Sequence, residues 1–269
     1  MIHRSMRFLR TLFALLLVVG AVPAAAQNAR ERAAIDFALQ RGRLLYAIDR
    51  AAWVATDDMM AQMPDWRSAG LRGYIVERDG TGYSVSFYGG PEPAPVAFYR
   101  GRVENHRIVS REVFGAAARP ALTPFQRRLV AARDLVARST RNRACGRAPF
   151  NSAVIPPETP DGPIDVYLLT PQATDREFPF GGHFRATVTA EGRVTGERAF
   201  TNSCLTMPAP PPGAFLGVSH MLDPVPTEIH VFTSLAARAP VFVAIVRPER
   251  VYEVSGEGVR RVRMGGGRR

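Results

Sequence analysis

Gly181-Gly182-His183-Phe184-Arg185-Ala186-Thr187-Val188-Thr189-Ala190-Glu191-Gly192-Arg193-Val194-Thr195-Gly196-Glu197-Arg198-Ala199-Phe200, running on through Thr201-Asn202-Ser203 to Cys204, is the stretch on which the fold turns. Apolar residues recur with period two: Phe184, Ala186 and Val188 share one face, while His183, Arg185 and Thr187 share the other. Ala190-Glu191-Gly192-Arg193 supplies turn chemistry, so the chain returns over Val194–Phe200 as a hairpin and delivers Cys204. The only other cysteine is Cys145. Two cysteines in an exported chain most often pair with each other, and closing this loop stabilises the fold by about 4 kcal/mol in the entropic picture; the alternative, Cys145 as a nucleophile with His183 or His220 as base, has no local motif behind it.

Working outward, the rigid run Pro156 to Pro163 leads into a strand over Ile164–Thr170, and Pro208 to Pro212 precede another over Ala214–Val218. Thr227–Ser234 reads as strand or short helix, because a short apolar run carries no decisive period. Val241–Val246, Val251–Val254 and Val259–Val262 complete a second antiparallel set. Upstream, Thr123-Pro124 opens a helix by the cap-plus-proline rule, with Phe125, Leu129, Ala132 and Val136 on one face. Before it, Tyr74-Ile75-Val76 and Tyr83 to Phe87 flank Asp79-Gly80, a hairpin signal. Val96 to Tyr99 and Ile108-Val109 extend it to a meander of about four strands. His106 sits on a polar, solvent-facing strand end.

The first helix spans Ala33–Ile48, with Gly42 a weak spot, and a second piece carries Trp53, Met59, Met60 and Met63. Thr56, Asp57 and Asp58 stand at the start of that piece, or across a kink, as a cap and first-turn charge. The methionines suit flexible core filling better than copper(I) ligation. The expected class is α+β: N-terminal helices on an antiparallel meander, a linking amphipathic helix, and a second antiparallel β region with one disulfide, Cys145–Cys204. Residues 27–143 and 144–264 form the two halves, and 265–269 a frayed tail.

Residues 1–26 read as a secretory signal: a basic start at His3, Arg4, Arg7 and Arg10, an apolar core over Leu12–Val19, and Ala24-Ala25-Ala26 as cleavage site. No other stretch is apolar enough to cross a bilayer, so a periplasmic or secreted chain is expected. The chain contains no lysine; its 35 basic residues are all arginine, and the formal charge of +11 falls to about +8 once the leader is removed. The basic face carrying Arg127, Arg138 and Arg141 is the candidate contact for an anionic surface, a weak one, since solvated arginines explain it equally well. Nothing marks nucleic-acid readout, because aromatic residues are not interleaved with the arginines.

The chemistry-bearing constellation is His183, His220, Asp223, Glu228 and His230. Imidazole and carboxylate are the usual ligands of a catalytic zinc. On a strand, Glu228 and His230 would point to one side, and the turn Asp223-Pro224-Val225-Pro226 would fold His220 and Asp223 together. No His-Glu-x-x-His, Gly-x-Ser-x-Gly or glycine-rich phosphate loop is present, and no cofactor is named by the sequence.

The runs Asp161 to Gln172, Pro179-Phe180-Gly181-Gly182-His183, Phe200 to Cys204, Asp223-Pro224 and Pro226 to Phe232 resemble a group of exported bacterial proteins with no assigned activity. That resemblance implies export and a shared fold, and carries no activity. The expected function is therefore a non-catalytic binding or envelope-associated protein with an unknown ligand. The alternative is a small periplasmic hydrolase, metal-dependent in one version, built on the histidine cluster.

Overall fold

The computed structural model describes residues 24–159 and 161–263. The expected leader lies outside the described residues as far as residue 23, and so does the tail from residue 264.

Ala24–Gln62 forms one helix, α1, of 39 residues. The expected break at Thr56-Asp57-Asp58 does not occur. Ala51, Ala52 and Ala55, strong helix formers, carry the helix through. Thr56 turns its hydroxyl back onto the Ala52 carbonyl at 2.7 Å instead of capping a new start. Asp58 is occupied elsewhere, accepting from the Tyr99 hydroxyl at 2.6 Å and pairing with Arg111 at 3.1 Å.

Four strands follow: β1 (Leu71–Asp79), β2 (Gly82–Gly89), β3 (Val96–Glu104) and β4 (Arg107–Val113), an antiparallel meander in sequence order. The Asp79-Gly80 signal closes the first hairpin, with Asp79 opposite Gly82 and Gly80 at φ +60°. His106 is exposed as expected but belongs to a turn: Asn105 and His106 both take positive φ, which a two-residue hairpin loop requires. The linking helix α2 is Pro124–Ser139. Its start carries the reciprocal cap that Thr123 and Gln126 allow, at 3.1 and 3.0 Å.

The second half holds β5 (Asn151–Ile155), β6 (Ile164–Leu169), β7 (Glu177–Pro179), β8 (Phe184–Val188), β9 (Val194–Ala199), β10 (Thr206–Pro208) and β11 (Leu216–His220). Then come α3 (Glu228–Ala237), β12 (Val241–Ile245), β13 (Arg250–Val254) and β14 (Val259–Val262). β5-β6-β8-β9 is antiparallel throughout, with Phe184, Ala186 and Val188 buried on its inner face. The sheet β11-β12-β13-β14 departs from the expected all-antiparallel set: β11 pairs parallel with β12. The cause is α3, which carries the chain back across the sheet before β12 begins, as a parallel pair requires. The class is α+β, with a disulfide between Cys145 and Cys204. Among the described residues, no helix is long and apolar enough to cross a membrane.

Three cores hold these layers together. Leu45, Ile48, Ala52, Ala55 and Met59 of α1 pack on Val76, Val85, Phe87 and Tyr99 of the meander, and also on Tyr167, Phe200 and Ile229 from beyond residue 143. Leu129, Ala132 and Val136 of α2 pack on Ile75, Tyr88, Val166, Leu168 and Ala186. Val231 of α3 packs with Val241, Val243, Tyr252 and Val254.

At Gly42, α1 and α3 approach closely. A Cβ there would stand 2.5 Å from Val231 Cβ and 2.7 Å from the Glu228 carbonyl oxygen. The glycine that weakens the helix locally is what lets the two helices touch. Gly42→Ala will therefore destabilise the protein: overpacking costs about 3 kcal/mol while the gain in helix propensity returns about 1. A urea melt that shows equal or greater stability for this variant would contradict the close approach.

Candidate ligand-binding site

The histidine constellation divides into separate groups. His183 is fully buried, and both its ring nitrogens are engaged by backbone: Nδ1 accepts from Thr170 N at 3.2 Å and Nε2 donates to the Pro179 carbonyl at 3.0 Å. Burial pushes its pKa down to about 4, only partly opposed by the Pro179 hydrogen bond, so it stays neutral. Its surroundings belong to the disulfide. Thr170 Oγ1 accepts from Cys145 N and donates to the Gly182 carbonyl. Gly182, at φ +72°, lies so close that a Cβ would stand 2.5 Å from Cys145 Sγ.

His220, at the end of β11, donates from Nε2 to Asp223 Oδ2 at 2.9 Å, and Arg198 of β9 donates to the same oxygen at 2.8 Å. Burial raises the Asp223 pKa, but the hydrogen bonds from His220 and Arg198 outweigh it and hold the carboxyl below its usual range. The His230 ring meets His220 edge-on at 4.8 Å between centroids. His230 is the third residue of α3, and its Nδ1 accepts from Thr227 N at 2.9 Å, the place a capping-box glutamate would fill. Burial, reinforced by the neighbouring His220, pushes its pKa down to about 3.

Glu228 goes elsewhere. Because Glu228 and His230 stand on a helix, not a strand, their side chains diverge by about 160°. Glu228 accepts from the Tyr167 hydroxyl at 3.0 Å and pairs with Arg185 at 2.9 Å, nearly closed to solvent. The structure thus joins His220, Asp223 and His230, and leaves His183 and Glu228 in two other networks. Among the described residues, no group of three or more His, Cys, Asp or Glu side chains is placed to hold a metal ion. On the basic face, Arg127 donates to the Leu122 carbonyl at 2.6 Å and Arg138 lies 3.9 Å from Glu92, while Arg141 is exposed.

Open space lies against α1. A chamber of about 500 Å³ is walled by Ala52, Trp53, Met59, Trp66, Leu71, Tyr74 and Phe87, with Thr56, Asp57, Arg72 and Asn151 as its polar residues. Both tryptophans of the chain line it. A smaller cavity of about 30 Å³, lined by Asp49, Thr170, Gln172, Phe232 and Thr233, shares Trp53 and Asn151 with the chamber. A second cleft of about 500 Å³, beside Phe37, Pro156, Pro157 and Gly162, has its cation Arg41 already paired with Asp165 at 3.1 Å.

No known protein family, curated protein or solved structure matches this chain. What the chamber can do follows from its walls alone. An apolar, aromatic-lined concavity with a few convergent polar groups is the usual form of a small-molecule site. Sequence reasoning passed over Asp49, although Asp49, Trp53 and Asp57 stand at i, i+4 and i+8, one stripe of a helix. That spacing was the available signal.

Burial raises the Asp49 pKa to about 6, with Arg50 opposing the shift. A carboxyl raised on folding stabilises the fold below its unfolded pKa and loses that contribution as pH rises through the folded value. Asp49→Asn will accordingly raise stability by about 2 kcal/mol at pH 7.5, and the gain will vanish below pH 4. Urea melts at the two pH values measure it; a gain at pH 3.5 equal to that at pH 7.5 would contradict the burial.

Proposed function

We propose that this chain is an exported, non-catalytic binding protein that takes a small apolar or aromatic ligand into the chamber between α1 and β1. The observation that carries the reading is the chamber itself: about 500 Å³, with both indoles and two further aromatic rings in its wall. Export is part of the proposal, supported by the basic-apolar-small pattern of residues 1–26 and by the Cys145–Cys204 disulfide, which persists in an oxidising compartment. Kinship with the exported bacterial proteins that the sequence resembles belongs to the same proposal.

The test is uptake of N-phenyl-1-naphthylamine, a neutral apolar fluorophore, by the mature protein. Saturable enhancement with energy transfer from tryptophan is expected, weakened about tenfold by Trp53→Ala or Trp66→Ala, since each removes an aromatic wall worth roughly 1–1.5 kcal/mol. Unsaturable enhancement, or enhancement indifferent to both substitutions, overturns the reading. The hydrolase alternative rests on the His220–Asp223 pair, which is oriented as a base and its carboxylate partner are.

A further inference from the structure

We propose that the ligand is an organic cation, with an ammonium head held by Asp49 and an aromatic or alicyclic body lying against Trp53, Tyr74 and Phe87. This rests on the binding reading above and names the chemistry of the same site.

Charge is the first ground. The chain is strongly basic overall, yet the stripe of α1 facing the chamber and its annex carries Asp49 and Asp57 on either side of Trp53. Among the described residues, neither carboxylate has a side-chain hydrogen bond or an ion pair. Asp58, one residue on, shows the contrast: it is bound to both Tyr99 and Arg111. Among the described residues, the basic residue in the chamber wall is Arg72, and its guanidinium is spent on Glu92 at 2.5 Å and Asp134 at 2.8 Å. No cation within the chamber wall is left to meet Asp49 or Asp57, and Arg50 acts on Asp49 through space from outside that wall.

Shape is the second. The annex at Asp49, about 30 Å³, is small beside the chamber and has room for a compact polar head such as an ammonium. Thr233, closed to solvent, also lines it, and among the described residues its hydroxyl has no hydrogen-bond partner. The chamber next door has the volume and the rings for an apolar body. An unpaired carboxylate in so enclosed a place is unfavourable unless a cation or a donor reaches it. The rings are themselves suited to cations: Arg50 lies 5.1 Å above the Trp53 ring and Arg67 4.5 Å above that of Trp66, and neither arginine is in the chamber wall.

Tryptophan fluorescence of the mature protein reads the site directly, because the chain's two indoles both stand in it. Three probes with one body and different heads are titrated at pH 7.5: phenethylammonium, 2-phenylethanol and 3-phenylpropionate. We expect phenethylammonium to bind at least about tenfold more tightly than 2-phenylethanol, the scale of one enclosed ion pair with a cation–π contact, and 3-phenylpropionate to bind weakest. Asp49→Asn should bring the cation level with the alcohol; Asp57→Asn, at the exposed rim, should cost the cation about twofold. Equal affinity for cation and alcohol in the unmodified protein, or a preference for the carboxylate, overturns the inference whatever the variants do, and leaves the binding reading standing. A cation preference undiminished by Asp49→Asn overturns the assignment of the head group. No saturable response to any of these probes or to N-phenyl-1-naphthylamine overturns both.

Discussion

Glu228→Ala will lower the free energy of unfolding by about 4 kcal/mol, because removing one partner of a buried ion pair strands the other. Glu228 is 3 % exposed and stands at the first turn of α3, where the positive end of the helix favours a carboxylate. Its Oε1 receives both the Tyr167 hydroxyl and the Arg185 guanidinium. Tyr167 has no exposed surface, so without Glu228 its hydroxyl is left in an apolar core between Phe200 and the α1 side chains. The Tyr167 pKa is raised by burial and further by the Glu228 charge, so the hydroxyl keeps its proton and remains the donor. Glu228→Gln preserves shape and should cost about half as much. Urea denaturation of the single variants and of Glu228→Ala with Arg185→Ala completes a thermodynamic cycle, in which a coupling of about 2 kcal/mol is expected. Coupling near zero would show that the pair contributes nothing beyond packing.

Reduction of the Cys145–Cys204 disulfide should cost a similar amount, about 4 kcal/mol for a loop of 59 residues in the chain-entropy picture. The bond joins the segment after α2 to the segment after β9, and so closes the sheet β5-β6-β8-β9 into one loop. Melts with and without a phosphine reductant measure the loss, and double replacement by alanine should reproduce it. Two titratable thiols in the unreduced, denatured protein would exclude the bond. Gly182→Ala should strain the same joint, since its positive φ and the nearby Cys145 Sγ both exclude a side chain.

Much of this was legible along the chain. The alternation of Phe184, Ala186 and Val188 with Arg185 and Thr187, and the turn at Glu191-Gly192, produced the hairpin where they stand, because side-chain period and turn chemistry are local properties. The same holds for Asp79-Gly80 and for the Thr123-Gln126 cap. The constellation of five side chains around His220 was not legible in this way. Thr227 to Ser234 is a short apolar run whose period suits strand or helix, and the helix sent Glu228 and His230 to different neighbours. The parallel pairing of β11 with β12 followed from that same helix.

The sequence by itself determined the α+β class, the places where strands turn, the cap of α2 and, from a count of two cysteines, the disulfide. Each depends on neighbours a few residues apart or on a choice with one answer. Only the tertiary structure decided that Gly42 is a contact, that His183 supports the disulfide, and that Asp49, with no ion pair among the described residues, stands beside an aromatic chamber. Those depend on which surfaces meet across long separations, and burial and unmet charge exist only once they have met.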